Sequence, residues 1–203
     1  MAVTYMTSLG SVAQLPSLIK DDMLDGNGFG RIAMVGRSNV GKSSLINGLV
    51  KSRIALTSKQ PGHTRKINFF NWSDRKTIIA DLPGYGFAQR SKKEQAQWAE
   101  LISEYMQFDK NLKCALVLLD ARHGPTPKDA EAIEFLQKIN VPIQLVFTKK
   151  DALKNQKNLA ARRKETKVSL EKIGFKPSDA IWVASRTGEG IPELNTFLRS
   201  VIS

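Results

Sequence analysis

The chain has 203 residues, 41% hydrophobic and 25% charged, which suits one soluble globular domain with an ample core. No apolar run is long enough to cross a bilayer, and Met1–Ile19 lacks the basic start and long apolar centre of a secretory leader. Lys and Arg number 31 against 19 Asp and Glu, net +12, and so large an excess points to a polyanionic partner, RNA above all.

Residues 1–29 read as a poorly patterned lead-in packed on the domain, with Pro16 and Asp25-Gly26-Asn27-Gly28 marking loops. One domain is expected over 30–203. Arg31–Val35 is an apolar run of buried-strand length, and Ser44–Val50 has helical spacing. Lys66–Trp72 and Lys76–Leu82 form a hairpin around Ser73-Asp74-Arg75. Ser91–Phe108 follows as a helix with Trp98, Leu101, Ile102 and Tyr105 on one face. Lys113–Asp120 is nearly all apolar, the mark of a strand buried on both sides. It holds the lone cysteine, Cys114, which reads as a buried hydrophobe in a reducing cytoplasm. Thr126-Pro127 caps the next helix, with Ala130, Ile133, Leu136 and Ile139 inward. Pro142–Phe147 is a strand, Gln156–Lys172 a cationic helix, Ala180–Ala184 a strand, and Pro192 opens the last helix. The alternation predicts an α/β domain: a mostly parallel, six-stranded sheet with one antiparallel strand and helices on both faces. Ligands of such sheets sit at the carboxyl ends of the strands.

Gly36-Arg37-Ser38-Asn39-Val40-Gly41-Lys42-Ser43 is G-x-x-x-x-G-K-[ST], set between a strand and a helix as a phosphate-binding loop requires. Its glycines let the backbone curl so that N–H groups and a helix N-terminus face a phosphate. Lys42 would reach the β- and γ-phosphates, and the Ser43 hydroxyl would ligate Mg²⁺. Asp81-Leu82-Pro83-Gly84 ends a strand, where the carboxylate can hold a Mg²⁺-bound water and the glycine N–H can meet a γ-phosphate. Thr148-Lys149-Lys150-Asp151 ends another. Asp151 can accept hydrogen bonds from N1–H and the 2-amino group of guanine, donors that adenine lacks. The Lys149 stem can cover the base. Thr64, in Pro61-Gly62-His63-Thr64-Arg65, could ligate Mg²⁺ only while a γ-phosphate is present, which would make the segment a switch. Val183-Ala184-Ser185 ends the last strand, where backbone N–H groups could meet the guanine carbonyl.

These motifs, in this order, resemble the translation-factor-like GTPases. The stretch from Gly36 to Asn47 is similar to the GRSNVGKSSLIN signature of the YihA/EngB/YsxC family of bacterial ribosome-biogenesis GTPases. So are Pro61–Thr64 with Ile67–Phe70, and Asp81–Ala88. The resemblance implies a P-loop GTPase that binds GTP or GDP with Mg²⁺, acts in the cytoplasm as a monomer, and assists assembly of the large ribosomal subunit through its RNA and proteins, with a link to cell division and septation. It implies a nucleotide site built from Gly36 to Ser44, from Gly62, His63, Thr64, Arg65 and Lys66, from Asp81, Leu82, Pro83 and Gly84, from Thr148 to Asp151, and from Val183, Ala184 and Ser185. Individually, the phosphate loop supplies Gly36, Arg37, Ser38, Asn39, Val40, Gly41, Lys42, Ser43 and Ser44. Lys42, Thr64 and Asn39 would serve catalysis, and Ser43 and Thr64 the metal.

Three places depart from the common pattern. Threonine stands at 148 where most GTPases carry asparagine. The last motif reads Ala184-Ser185-Arg186 rather than Ser-Ala-Lys. Phe29-Gly30-Arg31 replaces the usual Pro-Glu pair. Tyr85 holds the place of a water-orienting glutamine, so slow intrinsic hydrolysis completed by the ribosomal partner is expected. Related GTPases use asparagine at the position of Asn39 to hold K⁺; the other reading is that Asn39 shapes the loop. Three functional readings follow: a hydrolysing switch on the ribosome, a phosphotransferase or ATPase that Asp151 argues against, and a GTP-gated RNA- or protein-binding module with negligible hydrolysis. Arg90, Lys92, Lys93 and the cations Lys154, Lys157, Arg162, Arg163, Lys164 and Lys167 are the candidates for RNA contact.

Overall fold

Seven strands form one sheet in the order β1-β3-β4-β2-β5-β6-β7. They are β1 Val3–Leu9, β2 Gly30–Gly36, β3 Ile67–Trp72, β4 Thr77–Asp81, β5 Leu112–Asp120, β6 Ile143–Thr148 and β7 Ile181–Trp182. The computed structural model describes residues 3–16, 29–55, 66–85 and 92–202. β3 runs antiparallel to both β1 and β4, and the remaining pairs are parallel.

The strand count is seven rather than six because the lead-in supplies β1. Its register against β3 shifts between Tyr5 and Thr7. A bulge of this kind breaks the two-residue alternation that reveals a strand in a sequence. Tyr5 stays more than half exposed and meets Phe70 edge-on at 6.0 Å. The last strand is shorter than expected, with Ala184 outside it in an isolated bridge to Glu189.

The helices are α1 Lys42–Val50, α2 Lys92–Phe108, α3 Pro127–Lys138, α4 Gln156–Lys172 and α5 Ile191–Ile202. Thr126 caps α3 in a reciprocal box with Asp129, and the Asn155 side chain accepts from the Asn158 amide to cap α4. Alternate residues of the central strands point to opposite faces. Ala33, Val35, Ala115, Val117 and Leu119 join Leu101, Tyr105, Ile133, Leu136, Leu159 and Leu170 of α2, α3 and α4. Ile32, Met34, Cys114, Leu116 and Leu118 join Leu45, Ile46, Leu49, Leu194 and Leu198 of α1 and α5. Each such aliphatic side chain contributes ~1.5–3 kcal/mol by leaving water. Cys114 is 2% exposed, and burial pushes its thiol pKa up to about 12.

Arg31, in the place of the expected Pro-Glu pair, is buried and pairs with buried Asp109 after α2. The Arg31 amide donates to Asn111 O nearby, so this pair fixes where β2 begins.

Candidate nucleotide site

β2 ends at Gly36 and α1 begins at Lys42, so the loop between them bends within a few residues. A Cβ at Gly36 would lie 2.8 Å from Val40 Cγ1, and Gly41 sits at φ +111°, a region L-residues avoid. Asn39 takes φ +62° and is exposed. The turn delivers the amides of the first helical turn, which have no partner within the helix, to one point.

Asp81 ends β4, paired in register with Met34 of β2, and this sets it beside Lys42. It is 4% exposed, and its Oδ1 has no hydrogen-bond partner among the described residues. Burial raises its pKa to about 6, with Lys42 pulling the other way. Burial likewise lowers the Lys42 pKa, opposed by Asp81. A buried carboxylate oxygen without a donor is uncommon, and a cation-bound water at this point would satisfy it, so these residues fit a divalent metal next to a polyphosphate.

The segment after Asp81 lies on the phosphate loop itself. The Tyr85 amide donates to Gly36 O at 3.3 Å, and the Ser38 amide to Tyr85 O at 3.1 Å. Gly84 approaches so closely that a Cβ there would stand 2.8 Å from Ser38 N, which only glycine permits. Tyr85 turns inward, 8% exposed, and its phenol donates to Asp129 Oδ1 at 2.8 Å. Burial, then the Asp129 charge and hydrogen bond, push its pKa far above the ordinary value.

On the other side, the Thr148 hydroxyl donates to Val40 O at 2.6 Å, with Leu119 O at 3.1 Å sharing the same proton. The threonine therefore ties β6 to the phosphate loop. Lys149 Nζ donates to Asn39 O at 2.6 Å and to Asp120 Oδ2 at 2.9 Å. Burial alone would raise the Asp120 pKa, but hydrogen bonds from Arg122 and Lys149 hold it well below the usual carboxylate range. Lys150 N–H donates to Val183 O, joining the Thr148–Asp151 turn to the last strand. Arg186 Nε lies 3.3 Å from Asp151 Oδ2. Gly48 of α1 faces Ser185 across 3.5 Å to its carbonyl, measured from where a Cβ would be.

The loop residues 36–44, Asp81–Gly84, Thr148–Asp151 and Val183–Ser185 thus meet at the carboxyl ends of β2, β4, β6 and β7. Gly62, His63, Thr64, Arg65 and Arg90 lie outside the described residues. The Lys66 side chain lies along Gly10, just after β1. The amides of Val183 and Ala184 donate to Phe147 O and Glu189 O, so of that motif's backbone donors the Ser185 amide is the one left for a base. Two residues escaped the sequence reading: Asp129 is hidden inside a helix-capping pattern, and Asp120 looked like the last residue of a strand. Asn47 closes the Gly36–Asn47 signature but carried no role there. The Asn47 carboxamide accepts from Ile54 and Ala55 N–H and donates to Ala55 O, fastening the chain that leaves α1.

A P-loop fold with these motifs at one sheet edge defines a GTPase. The model of the 50S ribosome-binding GTPase family matches residues 31–149. A protein of Rickettsia bellii described as a probable GTP-binding protein EngB is 43% identical over 173 residues, 85% of this chain and 79% of that one. Its counterpart in Lactobacillus acidophilus is 37% identical over 191 residues, 92% and 94% of the two chains. A crystal structure of a probable GTP-binding protein engB superposes with TM-score 0.64 at 28% identity, over 85% of this chain and 98% of that one. Aquifex aeolicus Era shares the fold, with TM-score 0.68 at 23% identity over 86% of this chain and 57% of that one. The chain belongs to the EngB family of GTP-binding proteins.

Proposed function

We propose that this GTPase is a nucleotide switch that binds the precursor of the large ribosomal subunit, in the cytoplasm and as a monomer, and that its hydrolysis of GTP times release. The cell-division and septation defects expected on its loss follow from failed ribosome supply. The observation that carries the switch is Asp81 against Lys42. A buried carboxylate with one unsatisfied oxygen, next to the phosphate-loop lysine, senses whether a metal and a γ-phosphate are in place. What supports the ribosomal partner is the family model's description together with the net charge of +12.

In this reading Lys42 neutralises charge developing on the phosphates, and the loop amides from Asn39 to Ser44 hold the β-phosphate. Ser43 and Thr64 would hold Mg²⁺ and Asp81 would orient a water bound to it; the ion would supply charge neutralisation at the transferring phosphoryl group. Gly84 N–H meets the γ-phosphate. Asp151 reads the guanine edge, the Lys149 stem covers the base, and Ser185 N–H meets the guanine carbonyl. Tyr85 faces the core and does not touch the attacking water, so the ribosomal partner completes the site. Co-sedimentation with ribosomal subunits in GDP, GTP and a non-hydrolysable analogue tests the reading. Retention on large-subunit precursors with the triphosphates and release with GDP is expected. Equal partition in all three nucleotides rules the switch out.

A further inference from the structure

The phosphate loop and the segment after Asp81 share an anchor that neither contains. Asp129 lies in the first turn of α3, 0% exposed. Its Oδ2 accepts from the Thr126 amide at 2.8 Å and the Thr126 hydroxyl at 2.7 Å. Its Oδ1 accepts from the Tyr85 phenol at 2.8 Å and lies 3.2 Å from Arg37 Nε. Helix capping needs only the first oxygen. The second reaches across to Tyr85, directly after Gly84, and to Arg37, inside the phosphate loop.

We propose that Asp129 is a positioning residue for GTP hydrolysis. Through one carboxylate oxygen it holds Tyr85 and Arg37 together and so fixes the Gly84 amide against the phosphate loop. The inference rests on the reading that Gly84 N–H meets the γ-phosphate.

The mechanical path is short. Arg37 and Tyr85 form a parallel bridge through the Gly36 carbonyl, the Ser38 amide and the Tyr85 main chain. Gly84, one peptide earlier, is pressed onto Ser38 at a separation that admits no Cβ. With both flanks of that bridge tied to one buried carboxylate, Gly84 has no slack in which to drift. The γ-phosphate therefore meets a donor already in place, and no binding energy is spent assembling it. A diphosphate has no group at that point and should be indifferent to the anchor. The buried carboxylate is itself sustained by its donors, the Arg37 charge and the helix N-terminus.

The test compares Tyr85→Phe and Asp129→Asn with the wild-type protein, free of ribosomes. Each variant is followed by affinity for GDP, affinity for a non-hydrolysable GTP analogue, and single-turnover hydrolysis. Tyr85→Phe removes only the phenolic donor and keeps the packing, so it reports even if Asp129→Asn folds poorly. We expect the analogue to bind about tenfold more weakly and hydrolysis to slow by a similar factor, with GDP affinity unchanged. The double variant should be no worse than the worse single, because both cut the same tie. Parallel loss of GDP and analogue affinity assigns Asp129 a purely structural role and overturns the proposal, as does an unchanged analogue affinity. Absence of guanine-nucleotide binding in the wild-type protein would overturn both this inference and the functional reading.

Discussion

Lys149 Nζ donates to the Asn39 carbonyl at 2.6 Å, so the turn that carries Asp151 is fastened to the phosphate loop across the top of the sheet. Asp120 holds the same ammonium from below at 2.9 Å. In the proposed reading, base recognition and phosphate recognition therefore move as one unit. Lys149→Met should weaken GTP and GDP alike, by about tenfold, from the loss of charged hydrogen bonds. Fluorescent-nucleotide titration reads it, and a selective effect on GTP would contradict the shared-unit picture.

Asp151 is proposed to read the base through its pair of acceptors. Asp151→Asn replaces one acceptor with a donor and should cost at least about a hundredfold in guanosine affinity. Xanthosine nucleotides, which carry a carbonyl in place of the 2-amino group, should gain. Competition between GDP and its xanthosine counterpart measures both directions. Unchanged guanosine affinity would remove Asp151 from the site.

Asp81 yields a pH dependence with a definite sign. Burial raises its folded pKa to about 6 from an ordinary value of 3.8. Between those values the folded, nucleotide-free protein holds more protons than the unfolded chain. This residue's contribution to stability therefore falls as pH rises through that window, by at most about 1.4 kcal/mol per pH unit. Asp81→Asn should remove that slope, so denaturation of the variant and the wild-type protein should diverge progressively from pH 4 to pH 6. Parallel curves would place the Asp81 pKa near its ordinary value.

The Arg31–Asp109 pair is buried at both ends. Asp109→Ala removes the buried carboxylate that faces the Arg31 guanidinium and should cost ~3–5 kcal/mol, whereas replacing both residues by apolar ones of similar volume should cost far less. Thermal unfolding of the single and double variants separates the two.

Asn39 has a backbone duty on view, its φ of +62°. Retention of K⁺ would be a second. Asn39→Gly keeps the backbone while deleting the carboxamide. If the side chain holds the ion, the wild-type protein hydrolyses GTP faster in K⁺ than in Na⁺ and the variant does not distinguish them. Equal wild-type rates leave Asn39 only its place in the loop.

The parallel strands β2, β5 and β6 were legible because strands covered on both faces read as continuous apolar runs, and antiparallel β3 was legible from its hairpin with β4 around Ser73-Asp74-Arg75. β1 was not legible. Its bulge disturbs the alternation, and its pairing with β3 spans some sixty residues of sequence, a distance no local pattern can register. Asp129 was hidden for a different reason. Thr126-x-x-Asp129 is fully explained as a helix start, so nothing in the string announces a second use for the carboxylate. Thr148 is a third case. The departure from asparagine announces no contact by itself, yet the threonine hydroxyl reaching Val40 O ties β6 to the phosphate loop.

Burial of Cys114 in the core that the sheet shares with α1 and α5 has a practical consequence. With the one thiol held protonated and out of reach, the chain behaves toward alkylating and maleimide reagents as though it had no cysteine. A cysteine introduced at exposed Tyr5 or Val168 would be the sole labelling point, so spectroscopic probes of nucleotide-dependent motion can be attached without first altering the core.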